Sequence, residues 1–470
     1  MGKTTDNLIN CMNAAVQRKE YLPTLAKIEE WHMTVIGELI PTSERERVTK
    51  NLQAYLEELK VILGGMSCLQ EASDRSRARV VSFGERMSAS IISEILKPEI
   101  PDTDWCDARH LIKTDDKYLS AEVDIQVTTG NVREFFKTHN KTLFITTGFI
   151  ASTGEGVQET TTLGRGGSDY TASILGALLS SSLILIWTDV DGVFTADPRK
   201  VAAPLRIPSM SFQEAMELSF FGAKVIYAPT MGPAMACDIP MQIKSTFLPD
   251  GEGTVITKNV VLDSEWMVRG ITSISEVCVV LLEGCGIVGV AGVSGRTFTA
   301  LNRERINVIV ISQASSEHSI CFAVEPHAGA AAKQALEQEF EIEIQKKLID
   351  GVTLMPEMCC VAVVGDGMVA KPGIFGRLAS SLGKHMINIT VVAQGSSERN
   401  ISVLIPKSDE KKALNCIHDT FFSKKIITNY VFVVGTGRVG SALFPLLEEG
   451  AEKWEKKTFT EDCGGRNHQP

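Results

Sequence analysis

The sequence predicts an α/β protein in three parts: a layered α/β/α sheet, a tandem pair of small ferredoxin-like units, and an incomplete Rossmann start. Strand and helix patterns alternate to about residue 260, which is typical of a sheet with helices on both faces. Beyond it, segments 306–308 and 313–320 reappear as 387–389 and 394–401, at an offset (394 minus 313) of 81 residues. Each copy reads strand–helix–strand–strand–helix, the ferredoxin-like pattern.

The elements follow in order along the chain. The first seventy residues read as helices, since apolar residues recur at helical spacing up to Leu63, and the pair Gly64 and Gly65 is expected to end that run. Residues 143–147 predict a strand, and residues 183–187 predict a buried parallel strand that ends in a loop rich in Thr, Asp and Gly. Ser211 and Glu214 form a capping box that opens the next helix.

Composition excludes several function classes. The 470 residues carry a net charge of −10 without a basic tract, so neither nucleic acid nor an acidic membrane surface is an expected partner. Eleven cysteines lack C-x-x-C pairs and metal-ligand spacing, which is typical of reduced thiols in the cytoplasm. Serines interrupt the apolar region 174–187, and this predicts no membrane span.

The glycine-rich segment TTTLGRGGSDYTA, residues 160–172, precedes an apolar helix. Glycine lets the backbone approach an anion closely, and the helix that follows would present free N–H groups and a positive dipole end. Arg165 adds a planar, permanently charged fork for a carboxylate or phosphate. The segment therefore predicts a site for a small anionic substrate, although glycine-rich turns before helices are also common as plain structural punctuation.

Four motifs in order resemble those of aspartate kinases: SFGERMS at 82–88, the segment at 160–172, WTDVDGVFTADPR at 187–199 and FFGAKV at 220–225. The resemblance runs from residue 1 to about 440 and is strongest to the kinase and regulatory part of bifunctional aspartokinase–homoserine dehydrogenases. It implies an amino-acid kinase fold over 1–262, ACT domains over 263–345 and 346–427, and the start of a dehydrogenase over 428–470. It also implies truncation at both ends, because the family's first strand, with its Lys-Phe-Gly-Gly-Thr-Ser motif, would precede residue 1.

The resemblance implies transfer of the γ-phosphoryl group of ATP to the side chain of L-aspartate, with Mg²⁺ and without a protein metal cage. It assigns the substrate carboxylate to Arg165, its ammonium group to Glu85 and further substrate contact to Thr5. Ser168 and Asp169 would lie at the phosphoryl-transfer centre. The implied nucleotide-binding residues are Thr188, Asp189, Phe194, Arg199 and Lys224.

Each assignment has a plainer alternative. Glu85 could be an exposed carboxylate early in a helix, and Ser168 and Asp169 could simply cap theirs. Lys224 could be a solvated helix lysine. Residues 226–229 depart from the family's pattern, and we interpret them as peripheral.

The ACT resemblance implies amino-acid feedback, with threonine favoured by the attached dehydrogenase start, and a homodimer or higher homo-oligomer. The matched effector-binding candidates are Asn307, Gln313, Asn388 and Gln394. Ordinary polar residues at strand ends are the alternative for the two glutamines. Alternatives for the whole chain are a catalytically impaired amino-acid-sensing remnant and a different amino-acid kinase, such as glutamate 5-kinase.

The G-x-G-x-x-G pattern occurs twice. Gly284, Gly286 and Gly289 lie inside the first repeat, and the next strand ends without the acidic residue that would bind a ribose, so this match is interpreted as false. The second, at Gly435, Gly437 and Gly440, follows an apolar strand, as a dinucleotide fold requires. About thirty residues follow it, and we expect no dehydrogenase activity from this fragment.

Overall fold

The computed structural model describes residues 3–154, 158–222, 226–260, 267–285, 292–313, 318–423 and residue 437. Within them, Met1–Phe422 belongs to one compact unit. Lys224 and the glycines at 286, 289, 435 and 440 lie outside the described residues.

Four helices form the N-terminal layer: α1 Thr4–Val16, α2 Leu22–Leu39, α3 Thr42–Leu69 and α4 Asp74–Leu96. The predicted helical spacing is confirmed, since Leu52, Leu56, Leu59 and Leu63 are buried along α3. The predicted stop at Gly64 and Gly65 is wrong, because α3 continues to Leu69. Burial of Leu63 and Met66 on either side outweighs a cost of about 1 kcal/mol for each helical glycine.

Two small sheets follow. Their strands are β1 Thr103–Cys106, β2 Lys113–Thr114, β3 Leu143–Thr146, β4 Ile150–Thr153 and β5 Thr160–Thr162. In one sheet β1 and β3 are parallel, and in the other β4 pairs with β2 in parallel and with β5 in antiparallel orientation. The helices are α5 Ala108–Leu111, α6 Ile125–Thr138 and α7 Gly167–Leu178. The strand predicted at 143–147 is confirmed by β3.

The next sheet has four strands, β6 Ile184–Thr188, β7 Ser209–Ser211, β8 Met241–Ser245 and β9 Thr254–Thr257. Their order in the sheet is β6-β8-β9-β7. β6 is parallel to β8, as predicted, but the expected burial on both faces is wrong. Ile184 and Ile186 face the core, whereas Leu185 and Trp187 on the opposite face are 42% and 46% exposed.

Helix α8, Phe212–Phe220, begins with the predicted capping box. The Ser211 hydroxyl accepts from the Glu214 N–H, and the Glu214 carboxylate accepts from the Ser211 N–H. A short 3-10 turn, Ala228–Met231, leads into α9, Gly232–Ala236.

The two sequence repeats share one six-stranded antiparallel sheet. The first repeat contains β10 Gly270–Glu283, α10 Val293–Arg303, β11 Val308–Gln313, β12 Ser319–Val324, α11 Gly329–Glu339 and α12 Glu341–Gln345. The second contains β13 Gly351–Val364, α13 Ile374–Lys384, β14 Val391–Gln394, β15 Asn400–Pro406 and α14 Glu410–Phe422. The order of the strands in the sheet is β11-β12-β10-β13-β15-β14. The predicted order of strands and helices is present in both copies.

The long strands β10 and β13 exchange their first halves. The second half of β10 pairs with β12, whereas its first half, from Gly270 to Ile274, pairs with the second half of β13 beside β15. In return, the first half of β13 pairs with the second half of β10. Each half of one long strand thus pairs with a half of the other, and a sequence offset does not reveal this pairing.

One tertiary contact also repeats. Arg296 stacks over Phe340 and donates to the carbonyl of Glu339, while Arg377 stacks over Phe421 and donates to the carbonyl of Thr420. Arg296 therefore joins α10 to α11, and Arg377 joins α13 to α14.

Within the described residues, no helix combines the length and apolar character needed to cross a membrane.

Candidate active site

The glycine-rich turn connects β5 to α7 in a conformation that demands glycine. Gly164 and Gly166 have φ values of 74° and 67°, in the left-handed region. A Cβ atom on Gly166 would lie 2.8 Å from the Cβ of Tyr227, and one on Gly164 would lie 2.9 Å from Ser120 Oγ. Both the backbone angles and the neighbours therefore require glycine at these two positions.

Helix α7 begins without a side-chain cap, because its N-cap residue is Gly166. The alternative that Ser168 and Asp169 cap this helix is therefore wrong. The N–H groups of Ser168 and Asp169 donate to no backbone carbonyl of the described residues, whereas that of Gly167 donates to Gly164 O at 3.1 Å. Two free N–H groups thus coincide with the positive end of the α7 dipole, as an anion site requires.

Ser168 and Asp169 differ in their surroundings. Ser168 is exposed and lies against Gly148, where an added Cβ would come within 2.9 Å of the Ser168 Cβ. Asp169 is half-buried, and this burial raises the pKa of its carboxyl. Gly148 is not among the predicted site residues, and its sequence signal is a glycine two residues after the end of β3. The next residue, Phe149, has a positive φ of 67°.

Arg165 is exposed at the tip of the turn, and its guanidinium lies over the ring of Tyr227 at 5.7 Å. A cation within about 6 Å of a ring centroid is attracted to its face. The interpretation of residues 226–229 as peripheral is wrong for Tyr227, which contacts both Arg165 and the turn at Gly166. Stacking on the ring leaves the edge of the guanidinium free for a carboxylate.

Thr5 packs against Gly84 where α1 contacts α4. Thr5 Oγ1 is 3.8 Å from the Cβ position of Gly84, the residue before Glu85. Glu85 lies in the middle of α4, so the alternative of an exposed early-helix carboxylate is wrong. Burial raises the pKa of the Glu85 carboxyl. α4 also contacts β5, the strand that leads to Arg165.

A buried ion pair that the sequence reading missed supports β5. Asp107 caps α5 and accepts from Arg109 Nε and Nη2 at 3.0 and 2.6 Å. Arg109 Nη1 then donates to Thr160 Oγ1 at 2.9 Å. An Asp at an N-cap two residues before an Arg is its sequence signal. The pair fixes the start of β5 and so the direction of the glycine-rich turn.

The predicted nucleotide residues lie at and after the end of β6. Thr188 Oγ1 donates to Asp189 Oδ1 at 3.2 Å, and Asp189 is exposed. Phe194 is half-buried and forms an isolated bridge with Arg206. Arg199 is 71% exposed and forms an ion pair with Asp197 at 2.8 Å, and hydrogen bonds from Arg199 lower the pKa of the Asp197 carboxyl.

The four effector candidates, Asn307, Gln313, Asn388 and Gln394, are all exposed. Gln313 ends β11 and accepts from Ser294 Oγ at 3.3 Å, while Gln394 ends β14. The two edge strands meet, since Ser312 Oγ donates to Val392 O at 3.2 Å.

Residues 2–245 match the model of the amino acid kinase family, and residues 280–340 and 361–421 each match an ACT domain. The chain belongs to the amino acid kinase family. It is 33% identical over 459 residues to a chloroplastic bifunctional aspartokinase/homoserine dehydrogenase of Arabidopsis thaliana, an alignment that covers 96% of this chain and 50% of that protein. The chain thus spans about half the length of this curated relative.

Two solved structures relate this amino acid kinase family member to aspartokinases. E. coli aspartokinase III in complex with aspartate and ADP has a TM-score of 0.73 and 27% identity, over 88% of this chain and 91% of that one. The same enzyme in complex with lysine and aspartate has a TM-score of 0.67 and 28% identity, over 88% and 90%. The predicted amino-acid kinase fold with ACT domains is confirmed.

Proposed function

We propose that the chain is an aspartate kinase, which transfers the γ-phosphoryl group of ATP to the side-chain carboxylate of L-aspartate. The observation that carries this proposal is the turn at residues 164–167, where exposed Arg165 directly precedes the start of α7 with its free N–H groups at Ser168 and Asp169. The likeness to an aspartokinase that binds aspartate and ADP supports the same choice of ligands.

The proposed chemistry needs little acid–base help. A free aspartate side chain has a pKa of about 3.9, so the nucleophile is already ionised at neutral pH. The barrier comes from bringing one anion to another, and fixed positive groups lower it by neutralising charge. Arg165 would bind the α-carboxylate, and Glu85 would bind the ammonium group, with further substrate contact from Thr5. The N-terminus of α7 would face the transferred phosphoryl group.

The nucleotide would be bound by Thr188, Asp189, Phe194, Arg199 and Lys224. Among the described residues, no group of three His, Cys, Asp or Glu side chains could hold a metal ion by itself. Mg²⁺ typically binds kinase sites through one or two carboxylates together with substrate phosphates and waters. The exposed carboxylate of Asp189 suits that role, and the ion would neutralise phosphate charge.

The ACT repeats would bind an amino-acid effector through Asn307, Gln313, Asn388 and Gln394. The aspartokinase III structure with lysine supports an amino-acid ligand, and the likeness to bifunctional enzymes favours threonine. The same likeness supports the remaining parts of the proposal: the domain limits 1–262, 263–345, 346–427 and 428–470, and a homodimer or higher homo-oligomer. A cytoplasmic location stays a prediction.

The test is ADP formation that depends on both ATP and L-aspartate. Arg165→Ala should raise the KM for aspartate about tenfold or more, because a hydrogen-bonded ion pair to substrate contributes about 1.5–3 kcal/mol. Arg133→Ala is the matched control, since Arg133 is exposed on α6 and has no assigned role. An unchanged KM in the Arg165 variant would remove Arg165 from the substrate site.

The substrate panel separates the alternatives. ADP formation with L-glutamate but not L-aspartate would indicate another amino-acid kinase. Calorimetric binding of L-threonine or L-lysine without any ADP formation would indicate an amino-acid sensor instead of an enzyme.

A further inference from the structure

The first half of β10 contacts both segments that the proposed function assigns to the nucleotide. The Ile271 N–H donates to Thr195 O at 2.7 Å, next to Phe194. Thr272 Oγ1 donates to Phe221 O at 3.0 Å, in the segment that leads to Lys224. One short stretch of strand therefore supports both segments.

Lys200 connects the first segment, which contains Phe194 and Arg199, to the second ACT repeat. Its ammonium group donates to Ser273 Oγ at 3.0 Å, to Ser275 Oγ at 2.8 Å and to Glu410 Oε1 at 2.8 Å. Ser273 Oγ also donates to Glu410 Oε1, at 2.7 Å. The side chains of Lys200 and Glu410 are only 26% and 14% exposed. All three donors of the ammonium group are used, as a shielded lysine requires.

Two further contacts hold the same segment against α14. Asn415 Nδ2 donates to Lys200 O at 2.9 Å. The Thr195 hydroxyl is buried and bonds to His418 Nε2 at 2.9 Å, while it accepts from the Leu205 N–H at 2.9 Å. Contacts to α14 and β10 therefore hold the segment both before and after Arg199.

The hydrogen-bonded cluster of Lys200, Ser273, Ser275 and Glu410 forms a joint between the nucleotide segment and the ACT repeats. The electrostatics of this joint favour an ion pair between Lys200 and Glu410. Burial alone would raise the pKa of the Glu410 carboxyl, yet hydrogen bonds from Lys200 and Ser273 hold that pKa below its usual value. Removing one partner would leave the other charge shielded and unpaired, which is more costly than losing an exposed pair.

β10 also reaches the first ACT repeat. Beyond the register irregularities at Ile274, Val277 and Val279, its second half pairs with β12 from Cys278 to Glu283. The first half of β10, which supports the nucleotide segments, pairs with β13 of the second repeat. The second half of the same strand pairs with β12 of the first repeat, so β10 connects both repeats to the nucleotide segments.

We propose that Lys200, held by Glu410 on α14 and by Ser273 and Ser275 on β10, is a positioning residue that sets the affinity for ATP and links it to effector binding in the ACT repeats. This inference rests on the proposed function and adds the physical connection that regulation would use. The ammonium group of Lys200 spends its donors on protein oxygens, so it would contact neither substrate. It places Arg199 and Phe194 through the backbone of their own segment.

Steady-state kinetics on the full chain test the joint. Lys200→Met keeps the length of the side chain but removes its charge and donors, and it should raise the KM for ATP about fivefold or more. The KM for aspartate should change less than about twofold, because Thr5, Glu85 and Arg165 lie on other elements. Lys412→Met is the matched control, because Lys412 is an exposed lysine on α14, the helix that carries Glu410.

Glu410→Gln should give the same split between the two KM values, and Asp409→Asn is its neighbouring control. The double variant Lys200→Met with Glu410→Gln should cost less than the sum of the single changes, because both remove one interaction. In each variant the concentration of L-threonine or L-lysine that half-inhibits the wild type should rise about fivefold or more, whereas the controls should keep the wild-type value.

Equal changes in both KM values, or a wild-type response to the effector, would overturn the inference. Should Lys200→Met fail to fold, the double variant Ser273→Ala with Ser275→Ala removes two of the same hydrogen bonds and tests the same split. Calorimetric binding of ADP provides a readout that does not need turnover. A chain that makes no ADP from aspartate would refute the proposed function, while weaker ADP binding in Lys200→Met would still support the joint.

Discussion

Asp169 and Glu85 are carboxylates that the fold shields from water at the proposed substrate site. Burial raises the pKa of both groups. When folding raises the pKa of a carboxyl, its protonated form stabilises the folded chain. This stabilisation is complete below the ordinary pKa of the carboxyl and is lost as the pH rises through the raised pKa. At neutral pH the charged forms therefore cost stability in the absence of a ligand. Such a cost is typical of groups that await a cationic partner.

Asp169→Asn should therefore raise the thermal unfolding temperature of the ligand-free chain near pH 7 by about 1–3 °C while it greatly lowers turnover. Neutral amide replaces shielded charge, so the advantage of the variant should shrink as the pH falls towards 4. Differential scanning calorimetry across this pH range measures both effects.

Asp74→Asn is the matched control for Asp169→Asn. Asp74 lies in the first turn of α4 and is exposed, so its charge favours the helix dipole and its loss should slightly lower the unfolding temperature. A lower unfolding temperature for Asp169→Asn at neutral pH would contradict the argument from burial.

At the scale of single residues, the sequence identified Arg165, Glu85 and Asp169 because each lies in a short motif. It missed Tyr227, because the contact of its ring with Arg165 depends on how the 3-10 turn at Ala228–Met231 returns to α7. It also missed Arg109, whose bond to Thr160 joins residues that are distant in the chain. Roles in binding and turnover stay predictions until they are measured.

Among the elements, the turn before α7 depends most on a single residue type. Gly166→Ala should lower the stability of the chain by about 1–2 kcal/mol from the left-handed backbone alone. The close approach of Tyr227 and Thr230 adds steric strain. Because the turn sets the direction of Arg165, the KM for aspartate should also rise.

Gly130→Ala is the matched control for Gly166→Ala. Gly130 lies inside α6, is exposed and has no atom within 4 Å of its Cβ position. Alanine there should raise stability by about 0.5–1 kcal/mol, since it favours the helix. Thermal unfolding and aspartate kinetics of the two variants provide the comparison. Equal stability of the two variants would mean that the turn tolerates a side chain.

Local patterns predicted those elements whose cause is local. The capping box of α8 satisfies backbone groups within three residues, so it was visible in the sequence. The end of α3 was not, because packing around Leu63 and Met66 carries the helix past two glycines. The exposed face of β6 was also hidden, since a short apolar run does not show which faces of a strand are covered.

Across the whole molecule, the repeat offset correctly predicted two copies of one unit. The structure adds a contact that the sequence analysis did not predict, an arginine that stacks on a phenylalanine in each copy. The exchange of half-strands between β10 and β13 is a property of pairing, which an offset does not encode. It joins the two repeats into one sheet, so a ligand at either repeat acts on a shared structure. Thermodynamic coupling between effector and ATP follows if the ligand binds two states of that sheet unequally.

Gln313→Ala and Gln394→Ala should each raise the half-inhibiting concentration of the effector about tenfold, because each removes a proposed hydrogen bond to the effector. Uninhibited turnover should stay within about twofold, because neither residue has a role in the proposed substrate site. The Gln313 side chain accepts from Ser294 Oγ, so its variant should lose inhibition and also loosen the start of α10. Gln338→Ala, at an exposed position on α11, is the control. Inhibition by L-threonine and by L-lysine is measured separately on each variant. Wild-type inhibition in both glutamine variants would place the effector elsewhere, whereas loss in only one would show that the two repeats have diverged in binding.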